Sequence, residues 1–142
     1  MLTLLHPAVI HFPIALLLLA AALTAAHLRR PDPWLERCAY GALVLGWWSA
    51  LAATVTGLGA AALQWPFTPT ILMWINWHAL TGFAVLGVAG RALIWRKREP
   101  QILAGPRRRQ YLGMLALLVV LVITSGWLGG ELVYTFGVGV AP

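Results

Sequence analysis

Four long apolar runs divide this chain, and they constrain its fold more than any other feature. They cover residues 7–28, 38–63, 71–95 and 111–132. A helix needs about 20 residues to cross a hydrocarbon core about 30 Å thick, and each run exceeds that length. In lipid, a backbone must satisfy its own hydrogen bonds, which a helix does. The sequence therefore predicts an all-α, four-helix transmembrane bundle that forms a single domain over residues 1–142.

The composition agrees with a protein whose main partner is the lipid bilayer. Hydrophobic residues make up 61% of the chain and charged residues 10%, and the mean hydropathy is +0.81. Soluble domains carry about 25% charged residues. A sequence pI near 10.8 is typical of nucleic-acid-binding proteins, but no groove-reading motif accompanies the charge. We therefore expect no nucleic-acid partner.

The basic residues predict the topology of the bundle. Nine of the ten Lys and Arg residues lie within residues 29–37 and 96–109, the connections after the first and third runs. The positive-inside rule places such loops in the cytoplasm, so both termini and residues 64–70 face outward. The first run has features of a cleaved signal peptide, but it lacks a basic n-region and is too long for an h-region. We expect it to be a retained helix.

Polar residues of all four runs are expected at one depth near the outer face. His11 lies in the first two turns of the first run, and His78 lies about two turns into the third. Glu131 and Tyr134 close the fourth run, and Thr54 approaches the same level along the second. At 1.5 Å per residue these positions share one layer of the outer leaflet. Because ionisable groups inside a membrane are costly and usually functional, we expect the site in this layer.

The strongest local signal is the segment HPAVIHFP, residues 6–13. Pro13 cannot donate to the Val9 carbonyl, so the regular helix either begins there or is kinked. On an ideal helix, residues five apart point about 140° away from each other, so His6 and His11 cannot serve one ligand from an unbroken helix. Either the segment is irregular and folds His6 over the bundle mouth, or one histidine alone reaches the interior. His11 is the deeper of the two.

Glycines at helical spacing predict close packing between helices. Gly46 in the second run, and Gly126 with Gly130 in the fourth, are expected to form packing seams. Gly82 lies one turn below His78 on the same face. The missing side chain there would leave room for a flat ligand beside the imidazole.

Three motifs resemble those of a known family. They are the opening His-Pro-x3-His-Phe-Pro, the pair Trp77-His78, and residues 129–140, GGELVYTFGVGV. The chain resembles small four-helix bacterial membrane proteins catalogued as a domain of unknown function. The resemblance implies a multi-pass protein of the bacterial inner (plasma) membrane, of a kind sometimes proposed to bind haem. The positions that carry it are His6, His11, His78, Gly130 and Tyr134.

These residues favour one b-type haem bound near the outer face. Two imidazoles from separate helices of a bundle would fill both axial positions of the iron, which suits electron transfer. His11 and His78 are the candidate metal ligands, with His6 as a substitute ligand or a propionate partner. Only His27 lies near the inner surface, so a second haem is not expected and electrons would stay on the outer side. The predicted cofactor-binding residues are His6, His11, Trp77, His78, Gly82 and Tyr134.

Other functions compete with this hypothesis. A quinone could bond to His11 or His78 with Tyr134 beside its ring, and a copper or zinc ion could recruit His6, His11, His78 and Glu131. Each imidazole could also only hydrogen-bond a neighbouring helix, in a structural or accessory subunit of a larger membrane redox complex, or in a homo-oligomer. The sequence lacks the motifs of hydrolysis and an inverted repeat typical of transporters.

Overall fold

The computed structural model describes residues 5–139, which form helices and short connections. The first span consists of α1 (Leu5–Val9) and α2 (His11–Arg29), and the other three are α3 (Pro33–Leu63), α4 (Pro69–Arg98) and α5 (Arg108–Tyr134). Each span is long and apolar enough to cross a membrane. The prediction of an all-α membrane protein with four spans is confirmed. Val140, the last residue of the C-terminal motif, lies outside the described residues.

Capping residues start two of the helices before their apolar runs. α3 begins at Pro33 because the Asp32 side chain accepts a hydrogen bond from the Trp34 amide and proline suits the first helical position. α4 begins at Pro69 in the same way, behind a cap formed by Thr68. These caps are polar and lie outside the apolar runs, so hydropathy alone predicts both starts too late.

The four spans form a bundle in which consecutive spans are neighbours. α2 packs against α3 and α5, and α4 packs against the same two helices. α2 and α4 are therefore diagonal to each other, as are α3 and α5. At Gly46 of α3 an added Cβ would lie 2.6 Å from Leu17 Cδ2, so this glycine is a packing seam, as predicted. Gly126 has no atom within 4 Å of such a Cβ, so no part of the described chain packs there.

The buried core of the bundle is apolar, and so is its outer surface. Leu17, Leu43 and Leu118 are almost fully buried, and Ile102 and Leu103 from the connection between α4 and α5 join the same core. Packing of this kind, rather than escape from water, holds membrane helices together. Many large apolar side chains point outward, as a lipid environment requires; examples are Leu45, Val55, Leu80, Val120 and Ile123.

The two halves of the bundle repeat each other at an interval of 72 residues. Every buried position of α2 recurs in α4 at this interval, from 13 and 85 to 24 and 96. The buried residues of α2 are Pro13, Leu17, Ala20 and Thr24, and those of α4 are Val85, Ala89, Ala92 and Arg96. α3 and α5 share four buried positions at the same interval: Ala39, Leu43, Gly46 and Ala50 in α3, and Tyr111, Leu115, Leu118 and Val122 in α5.

This repeat is direct, since both halves are helical hairpins that run in the same order. We name residues 5–63 the first hairpin and residues 69–134 the second. Exchanging the hairpins turns the α2–α3 contact into the α4–α5 contact, and the α3–α4 contact into the α2–α5 contact. Such a pattern corresponds to an approximate twofold axis along the bundle, as in membrane proteins built from parallel repeats. Equivalent residues that point to the bundle centre can therefore meet at this axis.

The two ends of the bundle differ in chemistry. We name the histidine end after His6 and His78, and the arginine end after the basic connections at residues 29–37 and 96–109. The arginine end holds a polar cluster to which all four spans contribute. Arg96 donates to Glu36 Oε1 at 2.5 Å, and His27 Nε2 lies 4.0 Å from the other oxygen of that carboxylate. The Arg96 guanidinium also lies 5.8 Å from the centre of the Tyr111 ring.

Candidate functional site

Two histidine rings meet at the histidine end of the bundle. The ring centroids of His6 and His78 are 6.2 Å apart, and the ring planes are inclined at 75°. His6 lies on α1 in the first span, and His78 lies on α4, which is diagonal to that span. The structure thus brings together imidazoles from the first and third spans, as the sequence predicts. The first of them is His6, however, and not His11.

The His6 ring is held by α3. Its Nδ1 lies 2.9 Å from the carbonyl oxygen of Ala53. Because a carbonyl only accepts hydrogen bonds, Nδ1 carries the proton and donates it. The edge of the ring rests against Gly57, where an added Cβ would lie 2.9 Å from His6 Cε1. A side chain at position 57 would therefore displace the imidazole.

The His78 ring is held by α5 in the same manner. Its Nδ1 donates to the carbonyl oxygen of Ser125 at 3.0 Å. The ring rests against Gly129, where an added Cβ would lie 3.1 Å from His78 Cε1. The glycine is again one helical turn beyond the accepting carbonyl.

These two settings are copies related by the internal repeat. Each hydrogen bond joins a histidine to a carbonyl 47 residues later in the chain. Histidine, carbonyl and glycine all recur at the interval of 72 residues, so the unit occurs once in each hairpin. The equivalent pairs are His6 and His78, Ala53 and Ser125, and Gly57 and Gly129.

The arrangement leaves the Nε2 atom of each ring for a ligand. When Nδ1 carries the proton of a neutral imidazole, Nε2 carries a lone pair. Within residues 5–139, Nε2 of His6 and Nε2 of His78 have no hydrogen-bond partner. An Nδ1–H bond to a backbone carbonyl is also the usual second contact of a metal-bound histidine, because it fixes the orientation of the ring. The pair can therefore present two nitrogen ligands to one centre.

The expected pairing of His11 with His78 is wrong. The side chain of His11 is exposed on the outside of the bundle, at the first residue of α2. α1 and α2 are nearly collinear in hydrogen bonding, since the Ile10 amide donates to the His6 carbonyl at 3.1 Å. Two residues five apart on such a helix face different ways. One histidine alone reaches the interior, and α1 packs on α3 so that it is His6.

The other predicted cofactor residues lie in different surroundings. Gly82 is half-buried, and an added Cβ would meet no atom within 4 Å, so the space beside it is open. The side chain of Trp77 is 55% exposed and that of Tyr134 is 90% exposed. Such exposure suits the aromatic belt at a membrane interface better than the lining of an interior site.

The wider metal site is not assembled. Among residues 5–139, no three His, Cys, Asp or Glu side chains lie close enough together to hold a metal ion. Glu131 accepts a hydrogen bond from the Thr135 hydroxyl at 2.7 Å, and Thr54 bonds to the Ala50 carbonyl of its own helix. The described chain therefore offers two nitrogen ligands from His6 and His78, and no third ligand beside them.

Sequence reasoning missed the groups that orient the two rings. The carbonyls of Ala53 and Ser125 carry no side-chain signal, and Gly57 and Gly129 resemble ordinary packing glycines. One signal was present in the sequence. The interval from Gly57 to Gly129 equals that from His6 to His78, so a search for a direct repeat would have paired each histidine with its glycine.

Comparison with known proteins identifies a family. A family model described as "Predicted membrane protein (DUF2231)" matches residues 3–142. No curated protein and no solved structure matches the chain. The match covers both hairpins and therefore both histidines of the pair.

Proposed function

The chain belongs to the family of predicted membrane proteins designated DUF2231, and from its histidine pair we propose that it binds one b-type haem between His6 and His78. A haem supplies one-electron redox chemistry when it is bound. The proposed function is therefore electron transfer, near the outer face of a bacterial inner membrane. The observation that carries the proposal is the meeting of the two imidazoles, each with an unengaged Nε2.

The number and spacing of the nitrogen ligands support a haem. A porphyrin fills four positions of its iron and leaves two axial positions, which two imidazoles complete. A zinc ion takes four ligands, usually all from protein in structural sites. A metal bound in line by two imidazoles, about 2 Å from each nitrogen, separates the ring centroids by about 6 Å. The observed separation is 6.2 Å.

The glycines beside the rings also fit a bulky flat ligand. Gly57 and Gly129 let each imidazole recede against its neighbouring helix, because a Cβ at either position would fill the space that the ring occupies. Gly82, one turn from His78, adds open space on α4. Small residues at these three positions on three helices widen the histidine end.

The chain's own groups have two tasks in this proposal. The Ala53 and Ser125 carbonyls hold the protons at Nδ1, which orients each ring and raises the basicity of Nε2. His6 and His78 occupy both axial positions, and this excludes oxygen from the iron and favours electron transfer over oxygen chemistry. His27 is the only histidine near the arginine end, so electrons would enter and leave at the histidine end. The donor or acceptor would be a quinone, a soluble carrier or a partner subunit.

An absorption spectrum tests the proposal. The full chain, expressed with ample haem and purified in detergent, should bind one haem and show sharp Soret and α bands in the reduced-minus-oxidised difference. His6→Ala and His78→Ala should each abolish the low-spin spectrum, because each removes one axial ligand. His11→Ala is the matched control on the same segment and should retain the spectrum, since that side chain is exposed.

Two results would overturn the assignment. Protein without haem absorption, but with bound copper or zinc that is lost in both His6→Ala and His78→Ala, would make the pair a metal-ion site. Protein without any chromophore or metal, but bound to a larger membrane complex, would make the imidazoles helix clamps of an accessory subunit.

A further inference from the structure

A second candidate site lies far from the histidine pair, in a groove between α2 and α5 toward the arginine end. The groove has a volume of about 190 Å³ and is lined by Ala21, Ala25 and Leu28 of α2 and by Leu112, Ala116 and Val119 of α5. Thr24 also faces it, but its hydroxyl donates to the Ala20 carbonyl at 2.8 Å. The lining is therefore effectively apolar.

The size of the groove restricts what can occupy it. Pockets for compact small molecules measure about 300–1,000 Å³, so this one is too small for a ring-shaped cofactor. An acyl chain is slender and enters from the surrounding lipid, and three alanines among the six lining residues leave a shallow path for it.

Two arginines stand at the head of the groove. Ala21, Ala25 and Arg29 follow each other at four-residue spacing on one face of α2, and Arg108, Leu112 and Ala116 do so on α5. The lining of each helix thus continues into an arginine one turn nearer the arginine end. Both side chains are exposed. Among the described residues, the ion pairs at this end involve Glu36 and Glu99 and leave both of these arginines without an acidic partner.

The equivalent seam in the other half of the repeat is filled by the chain itself. The counterpart of Val119 is Trp47, whose indole lies between α3 and α4. Its Nε1 donates to the Leu86 carbonyl at 3.1 Å, and the ring packs on Gly90, where an added Cβ would lie 3.0 Å away. The counterpart of Thr24 is Arg96, which is buried against Glu36. Two seams of one repeat therefore differ, and only the one between α2 and α5 has space beside unpaired cations.

We propose that this groove binds an anionic phospholipid of the leaflet on the arginine side. One acyl chain lies along the alanines of α2 and α5, and the phosphate lies between Arg29 and Arg108. Guanidinium groups bind phosphate oxygens in a bidentate manner. The anionic lipids of the cytoplasmic leaflet supply that charge where the positive-inside rule places these arginines. The assignment does not depend on the histidine pair.

Native mass spectrometry of the full chain tests the site. The protein is purified in detergent and equilibrated with equal amounts of phosphatidylglycerol and phosphatidylcholine. We expect one phosphatidylglycerol to be retained in preference to phosphatidylcholine. Arg29→Gln and Arg108→Gln should each weaken retention about fivefold, as expected for one basic residue near a charged lipid surface. Arg109→Gln, at the next position on a different face, should retain the lipid.

A second variant separates the groove from the charge. Ala25→Trp fills the groove and should abolish retention, whereas Ala22→Trp, on an exposed position of the same helix, should not. Retention of phosphatidylglycerol by Ala25→Trp would overturn the site. Equal retention of both lipids by the unmodified protein would overturn the role of the arginines. Loss of lipid in both tryptophan variants, with unchanged thermal stability, would also overturn it, because binding would then not be local to the groove.

Discussion

The two ends of this bundle treat the same internal repeat in opposite ways. At the histidine end the halves are alike: a histidine, an accepting carbonyl and a glycine occur in each hairpin at matching positions. At the arginine end the halves differ, since Thr24 is replaced by Arg96 and Trp47 by Val119. Glu36, which accepts from Arg96, is replaced by Arg108 in the second hairpin.

The difference follows from what each end has to join. His6 and His78 lie close together across the centre, so one ligand can bind both if both halves keep the same unit. An ion pair requires unlike partners, and two identical halves would each present the same charge. The Arg96–Glu36 pair therefore depends on a departure from the repeat. Similarity at one end and divergence at the other are both consequences of the chemistry at the axis.

The largest effect on stability is expected from the arginine end. Glu36→Gln leaves the Arg96 guanidinium buried without a carboxylate, and breaking a buried pair costs about 3–5 kcal/mol. We expect about 3 kcal/mol, the lower end of that range, because the Glu36 side chain is 31% exposed. The free energy of unfolding in mixed detergent micelles would measure it. Glu99→Gln, which breaks the exposed pair with Arg107, should cost less than about 1 kcal/mol; equal losses would show that the cluster does not hold the spans together.

A smaller effect is expected from the glycines at the histidine end, and it tests their equivalence. Gly57→Ala and Gly129→Ala each place a Cβ against an imidazole, at 2.9 and 3.1 Å, and such overpacking costs about 1–3 kcal/mol. Both should shift or weaken the haem spectrum in the same direction. Gly59→Ala is the control, since its Cβ would meet no atom within 4 Å. An unchanged spectrum in both site variants would contradict a seated imidazole.

The smallest effect is expected where the repeat diverges, at Trp47. Trp47→Phe keeps most of the packing on Gly90 but removes the hydrogen bond to the Leu86 carbonyl. Bonds of this kind between membrane helices contribute about 0.6 kcal/mol on average. The same unfolding measurement should show a loss of that order, whereas Trp48→Phe, at an exposed neighbouring position, should show none. A larger loss in Trp48→Phe would place the seam elsewhere.

Much of the fold could be predicted from the sequence, and less of the site. The apolar runs located all four spans, although the caps at Asp32 and Thr68 moved two helix starts outward. His78 was predicted as a member of a histidine pair, but depth along the first helix favoured His11 over His6. Depth is read from residue number, whereas the facing of a side chain depends on how the helix is rotated about its axis.

Hydropathy and length alone determine that this chain forms four membrane-spanning helices, because an unpaired backbone in lipid is too costly for other structures. The distribution of basic residues adds a predicted orientation. Only the tertiary structure decided which histidine enters the bundle, which carbonyls hold the rings, and which glycines make room for them. The physical reason is that leucines and alanines cover every side of these helices. Lipid is as apolar as the core, so no polar face indicates which side turns inward.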